Sequence, residues 1–440
     1  MIDILFFLIY RHLLIPLVLF FLKALRPLLS PKIKKMMEER ETPQRPVIWA
    51  KPIWIHASSG EIEYAKPVIR ELKSRYPEIP ILVTYFSPSA LKLIQGIPEI
   101  DFVLPLPFDH RKKVKAFIDY ANPTAVLFAR TDVWPELALQ LNQKKIPTLL
   151  FAATLSTDSG RAQGLGKFLA RFAFDQLSEI SCVNEEDQRV FTELGVSTNV
   201  RVQGDTRYDQ VAYRLENPKN LKEELRPPPG RVLVVGSSWP QDEAVIFGGF
   251  ADWLSQNGQI ILAPHETNEN HLQQIEAKLK ALGLNCQRYS TATHFQNSVI
   301  LLVDQVGILP ELYAWGSIAF VGGSFKDRVH SVMEPLAAGL PVIVGPHILN
   351  NREALHFNLQ FLQDKNTVVT VAKGVEDFKN QLEVLGSITT TVDKNGKSIS
   401  QIIKKMMAAK TGVSSAIASW PLMSDALNTA RPGRPISTDN

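Results

Sequence analysis

From Val47 onward the chain alternates short apolar, β-branched runs with stretches of helical periodicity, and this alternation limits the possible folds more than any other feature. The runs VIWAKPIWIHA, IPILVTYFS, TAVLFA, IPTLLFAA and VRVQGD are separated by segments such as HRKKVKAFIDYA. A strand, helix, strand repeat of this kind predicts a parallel sheet with helices on both faces. The pattern pauses at NPKNLKEELRPPPG, Asn217 to Gly230, where three consecutive prolines can continue neither a helix nor a central strand. It then restarts with RVLVVGSS, QIILAPH, SVILLVD, SIAFVGGS and LPVIVGP. The sequence therefore predicts an α/β protein of two doubly wound, Rossmann-like domains, residues 46–215 and 231–409, with a linker at 216–230. The two are expected to face each other across a cleft. From 410 to 440 the alternation is lost and the chain ends in ARPGRPISTDN, which reads as a polar tail.

Composition supports this outline. A chain of 440 residues has room for two cores, and 45% hydrophobic with 21% charged residues is a globular balance. The formal charge is only +4, and no concentrated basic stripe lies outside the N-terminal region, which argues against a nucleic-acid partner. Cys182 and Cys286 form no C-x-x-C pair, so neither a disulfide framework nor a thiolate zinc site is indicated.

Residues 1–30, MIDILFFLIYRHLLIPLVLFFLKALRPLLS, depart from that balance and predict a membrane anchor. They lack the basic opening and small-residue cleavage site of a secretory leader. Lys23, Arg26, Lys32, Lys34 and Lys35 suit the anionic cytoplasmic face. Arg11 and His12 interrupt the run, so the sequence leaves open a true span or a shallow, interfacial helix.

Ligands of doubly wound sheets bind beyond the carboxyl ends of the strands, which directs attention to the residues that follow each strand. In IWIHASSGEIEYAKPVI, Ser58 and Glu61 fit an S-x-x-E capping box, yet Glu61 would also stand at the carboxyl end of the first strand, placed to act as a general base. VVGSSWPQDE, with Ser237 and Ser238, and FVGGSFKDRVHSVMEPLAAG, with Gly322 and Gly323, each end a strand in Gly and Ser before a helix. They could be tight turns, or they could present free amides to a phosphate. Glu334, one helical turn beyond His330, suits a ribose diol.

Other motifs are missing. No G-x-G-x-x-G follows a strand, and the GKS at 396–398 lacks the earlier glycine of a P-loop. His265, Glu266 and His271 come close to H-E-x-x-H, but a spacing of six puts the imidazoles on different helical faces, so no metal site is expected.

Taken together, WIHASSGEIEYAKPVI, LPFD, TDVWPEL, GDTRYD, GSSWPQDE, APHE, VDQVG, FVGGSF, HSVMEPLAAGLPVIVGP and NNREA, running in order to about residue 365, resemble the 3-deoxy-D-manno-octulosonic acid (Kdo) transferases of lipopolysaccharide assembly. The resemblance implies a GT-B glycosyltransferase that moves Kdo from CMP-Kdo onto a lipid A precursor at the cytoplasmic face of the inner membrane, without a cofactor. It implies that Glu61 is the base and that Asp132 and Arg207 assist at the reaction centre; Arg130 stands where the family has an acid. For the CMP-Kdo donor it implies Ser237, Ser238, Pro264, His265, Val306, Gly307, Ile308, Gly322, Gly323, His330, Ser331, Val332, Met333, Glu334, Asn350 and Glu353. The family's asparagine after the histidine is Ser331 here, and its P-R-H-P arginine is absent. Two other readings remain: a different nucleotide-sugar enzyme of the same architecture, such as a UDP-sugar transferase or epimerase, and a membrane-tethered protein that binds without catalysis.

Overall fold

A computed structural model describes residues 2–41, 46–364, 368–388 and 398–430. The chain divides into two compact units, one formed by residues up to Gln210 together with those from Lys410 onward, the other by Val211–Ala409. Each is built on a seven-stranded parallel sheet, the doubly wound α/β architecture of GT-B proteins.

In the first unit the strands are β1 (Ile53–His56), β2 (Ile81–Tyr85), β3 (Phe102–Pro105), β4 (Ala125–Ala129), β5 (Thr148–Ala153), β6 (Glu179–Cys182) and β7 (Asn199–Val202), in the order β3-β2-β1-β4-β5-β6-β7. Side chains alternate across β1: Ile53 and Ile55 join one core, Trp54 the other, and all three are fully buried. That two-sided burial is why the strand reads as an unbroken apolar run. The first core also contains Val413, Ile417, Trp420, Met423 and Leu427, from helices Val413–Ala418 and Pro421–Ala430. Asp209 fastens this return by accepting from the amides of Gly412 and Ser414. Residues 410–430 are thus part of the first unit and not the polar tail that the sequence suggested. The closing residues 431–440, like Gly396 and Lys397 of the GKS stretch, lie outside the described residues.

The N-terminal stretch Ile2–Ala24 is helical, with a π-helical turn at Tyr10–Leu14, and is long and apolar enough to cross a membrane. A separate helix, Pro31–Glu41, follows it.

In the second unit the strands are β8 (Val232–Ser238), β9 (Gln259–Pro264), β10 (Asn285–Arg288), β11 (Val299–Leu302), β12 (Ile318–Val321), β13 (Val342–Val344) and β14 (Val369–Val371), ordered β10-β11-β9-β8-β12-β13-β14. The proline-rich stretch expected to be a linker packs onto this unit. Leu225 is fully buried, the Lys222 amide donates to the Tyr289 hydroxyl at 2.8 Å, and Arg214 pairs with the buried Glu311 at 3.0 Å. The boundary therefore falls at Gln210/Val211.

Candidate active site

In the first sheet the strand order reverses direction between β1 and β4, the switch point at which doubly wound folds bind ligands. The loops leaving these two strands meet there. The Ser58 hydroxyl, after β1, donates to Oδ2 of Asp132, after β4. Buried His56 lies 3.1 Å from the same hydroxyl through Nε2 and anchors its other nitrogen 2.9 Å from Thr84 Oγ1. Arg161 approaches the other Asp132 oxygen at 3.5 Å.

Glu61, half-exposed, curls over its own turn and accepts the Ser59 amide at 2.9 Å. Ser58 does not cap that helix, because its hydroxyl is taken by Asp132. The S-x-x-E box read from the sequence is therefore replaced by a single local hydrogen bond to Glu61 and a bridge from Ser58 to the neighbouring strand's loop.

Arg130 and Arg207 converge on a residue the sequence reading overlooked. Their guanidinium carbons lie 4.8 and 4.6 Å from the ring centroid of Tyr64. Arg207 is held by buried Asp205, Nη2 to Oδ2 at 2.6 Å, and Arg130 donates to Thr154 at 3.2 Å from a left-handed backbone, φ 68°. Two cations thus stand beside one buried aromatic ring, an arrangement stabilised by the ring's negative face.

The second unit has its own switch point between β8 and β12. Here a Cβ on Gly322 would come within 2.3 Å of the Ser237 carbonyl oxygen, so only glycine lets the two loops close. Asp242, fully buried, locks them: its carboxylate accepts the amides of Trp239 (2.9 Å), Gly323 (2.7 Å) and Phe325 (3.1 Å). Burial raises its pKa, and the three amides oppose that shift. Outside this lock lies a stack of three rings. His265 lies 4.5 Å from Trp239 and 4.5 Å from His330, and the Lys326 ammonium sits 3.5 Å from the centre of the Trp239 ring. Burial, together with nearby His265, Arg328 and Lys326, pushes His330 down to about 4.

The other predicted donor residues divide into groups. Ser237, with φ 55°, stays at the loop crossing, whereas Ser238 is buried and its hydroxyl donates inward to Glu243 at 3.3 Å. Ser238 therefore cannot offer that hydroxyl to a ligand. His271 also pairs with Glu243, at 3.1 Å, so His265 and His271 have separate partners. Pro264, Val332 and Met333 are buried in the frame. The Ser331 hydroxyl donates to Glu334, which lines a cavity of about 120 Å³ together with Arg214 and Glu311. Val306 is 77% exposed, next to Gly307 and Ile308, and the Gly307 carbonyl accepts from Arg214 and Lys219, each at 2.8 Å. Asn350 is exposed and Glu353 is in the first turn of helix Arg352–Asp364. It is Asn351 that binds the histidine loop, donating to the His330 carbonyl at 2.9 Å and capping that helix through Ala354. Trp239, Asp242, Lys326 and Asn351 escaped the sequence reading, although Trp239 and Asp242 lie within the quoted GSSWPQDE.

Residues 31–210 match the family model described as 3-deoxy-D-manno-octulosonic-acid transferase (kdotransferase). The chain is 26% identical to the 3-deoxy-D-manno-octulosonic acid transferase of Haemophilus influenzae over 383 residues, 84% of this chain and 88% of that one. With the same-named protein of Aquifex aeolicus it shares 28% over 342 residues, 76% and 87% of the two chains. Among solved structures, a UDP-GlcNAc 2-epimerase from Neisseria meningitidis bound to UDP-GlcNAc is similar in fold, with a TM-score of 0.56 at 15% identity, covering 86% of this chain and all of that one.

Proposed function

We propose, for a chain whose residues 31–210 belong to the Kdo transferase family, that the protein is an inverting glycosyltransferase that moves Kdo from CMP-Kdo onto a lipid A precursor (lipid IVA). The observation that carries this reading is the Ser58–Asp132 hydrogen bond, which ties the loops after β1 and β4 together beside Glu61. Glu61 takes the proton from the acceptor hydroxyl as the anomeric carbon of Kdo gains oxocarbenium character, and CMP departs from the opposite face. Asp132, fixed by Ser58 and Arg161, orients the acceptor, and the Arg130–Tyr64–Arg207 group supplies positive charge for anionic substrate groups. In the second unit the glycine loops locked by Asp242 frame the donor site, and the Trp239–His265–His330 stack, with the Lys326 ammonium beside it, offers the donor a flat wall and one cation.

The apolar N-terminal helix supports attachment to a membrane, which we assign to the cytoplasmic face of the inner membrane, where an acyl-anchored acceptor presents its sugars. Incubating the purified protein with CMP-Kdo and a tetraacyl lipid A precursor tests the reaction: CMP release that depends on acceptor supports it, and its absence removes it. Calorimetry with CMP and UDP separates this reading from a UDP-sugar enzyme, since a cytidine site prefers CMP.

A further inference from the structure

Asp3, Tyr10 and Arg11 of the apolar N-terminal helix are committed to the first unit, whereas His12 is exposed. Asp3 pairs with Arg171 at 2.5 Å, the Tyr10 hydroxyl donates to Asp109 at 2.9 Å, and Arg11 grips Glu136 with two nitrogens at 2.6 and 2.8 Å. Phe6 and Phe7 stack on Phe168 and Phe172, with centroids 4.8 and 4.2 Å apart. Beyond Arg11 this docking ends, and Leu13, Leu17, Phe20 and Phe21 are all exposed. The chain then returns. In helix Pro31–Glu41, buried Arg40 donates to the carbonyls of Leu106 and Phe86 of the same unit, each at 2.7 Å.

A segment that crosses a bilayer leaves its two ends on opposite sides. Here both flanks, residues 3–11 and Arg40, are fixed to one compact unit, so both lie on one side. The undocked part, Leu13–Ala24, reaches about 18 Å at 1.5 Å per residue, against a hydrocarbon core of about 30 Å. Spanning with the whole helix would draw Asp3, Arg11 and their partners into hydrocarbon, where charged groups are costly. We propose that Leu13–Ala24 enters one leaflet of an anionic bilayer and leaves by the same face, making this a one-sided anchor clamped to the first unit by Asp3, Tyr10 and Arg11. Lys23, Lys32 and Lys35, adjoining the inserted part, face the headgroups. The inference rests on the membrane attachment proposed above and adds its geometry.

The test places an epitope before Met1 of the full chain and binds the protein to preformed sealed vesicles of phosphatidylethanolamine and phosphatidylglycerol. Protease added outside should remove the epitope; an epitope protected while the rest of the chain is digested overturns the proposal. A Leu13→Asp/Leu17→Asp variant should bind these vesicles at least tenfold more weakly with its CMP affinity unchanged, and full vesicle binding by that variant also overturns it. Turnover of CMP-Kdo on detergent-dispersed acceptor reports separately on the reaction, so failure of the topology leaves the enzymatic reading standing, and the reverse.

Discussion

The indole N–H of Trp239 donates to Nε2 of His330 over 2.9 Å, which holds that imidazole neutral with its proton on Nδ1. Because the pKa of His330 falls to about 4 in the folded protein, the native state binds fewer protons than the unfolded chain between about pH 4 and 6.5. Its contribution to stability is complete above pH 6.5 and is lost as the pH falls through 4. Trp239→Phe removes the donor and should move the His330 titration, followed by NMR, upward toward the ordinary value; an unmoved titration would count against the bond.

Glu61 accepts a single local amide, so removing its carboxylate should leave the fold intact. Glu61→Gln is expected to retain CMP binding by calorimetry and to lower kcat by about two to four powers of ten, the usual range for positioned acid–base catalysis. Unchanged turnover would reduce Glu61 to the keeper of its own turn.

Arg207 calls for a more careful choice of variant. Asp205 beneath it is 3% exposed, so Arg207→Ala leaves a buried carboxylate without its main cation and should destabilise the first unit by about 3 kcal/mol. Arg207→Lys keeps a charge near Asp205. If the guanidinium serves the reaction, the lysine variant should melt near the parent temperature and still lose turnover.

Asp109 ties pH to the anchor. Full burial pushes its carboxyl up to about 7 even though it accepts the amides of Glu136 and Leu137 and the Tyr10 hydroxyl. A carboxyl that holds its proton more tightly when folded favours the native state at low pH, and that advantage fades as the pH rises from about 4 through 7. Asp109→Asn should flatten the dependence of melting temperature on pH across that interval, as read by calorimetry.

The strands legible in the sequence were apolar or β-branched runs, such as the buried IWIH and AVLFA and the more exposed NVRV of β7. Strands β6 (EISC) and β10 (NCQR) were not, because polar residues occupy them; Glu179 of β6 reaches Arg201 and Trp420, partners no local window could supply. The C-terminal helices left a trace in the spacing of Val413, Ile417, Trp420, Met423 and Leu427, the stripe of an amphipathic helix, but it stands apart from the strand alternation that guided the reading. In the candidate site, the residues after β1, β8 and β12 were singled out by the rule that ligands gather at strand ends, and Asp132 after β4 by the family resemblance. Tyr64 and Asp242 were not, since their importance comes from loops that only folding brings to them.

The last helices of the chain complete the core of the unit that contains its beginning. Loss of the chain from Lys410 onward would therefore damage the amino-terminal unit, emptying the space filled by Trp420 while sparing the intervening Val211–Ala409. That middle stretch is a self-contained insert with both seams adjacent to one host, and it is the natural fragment to express by itself.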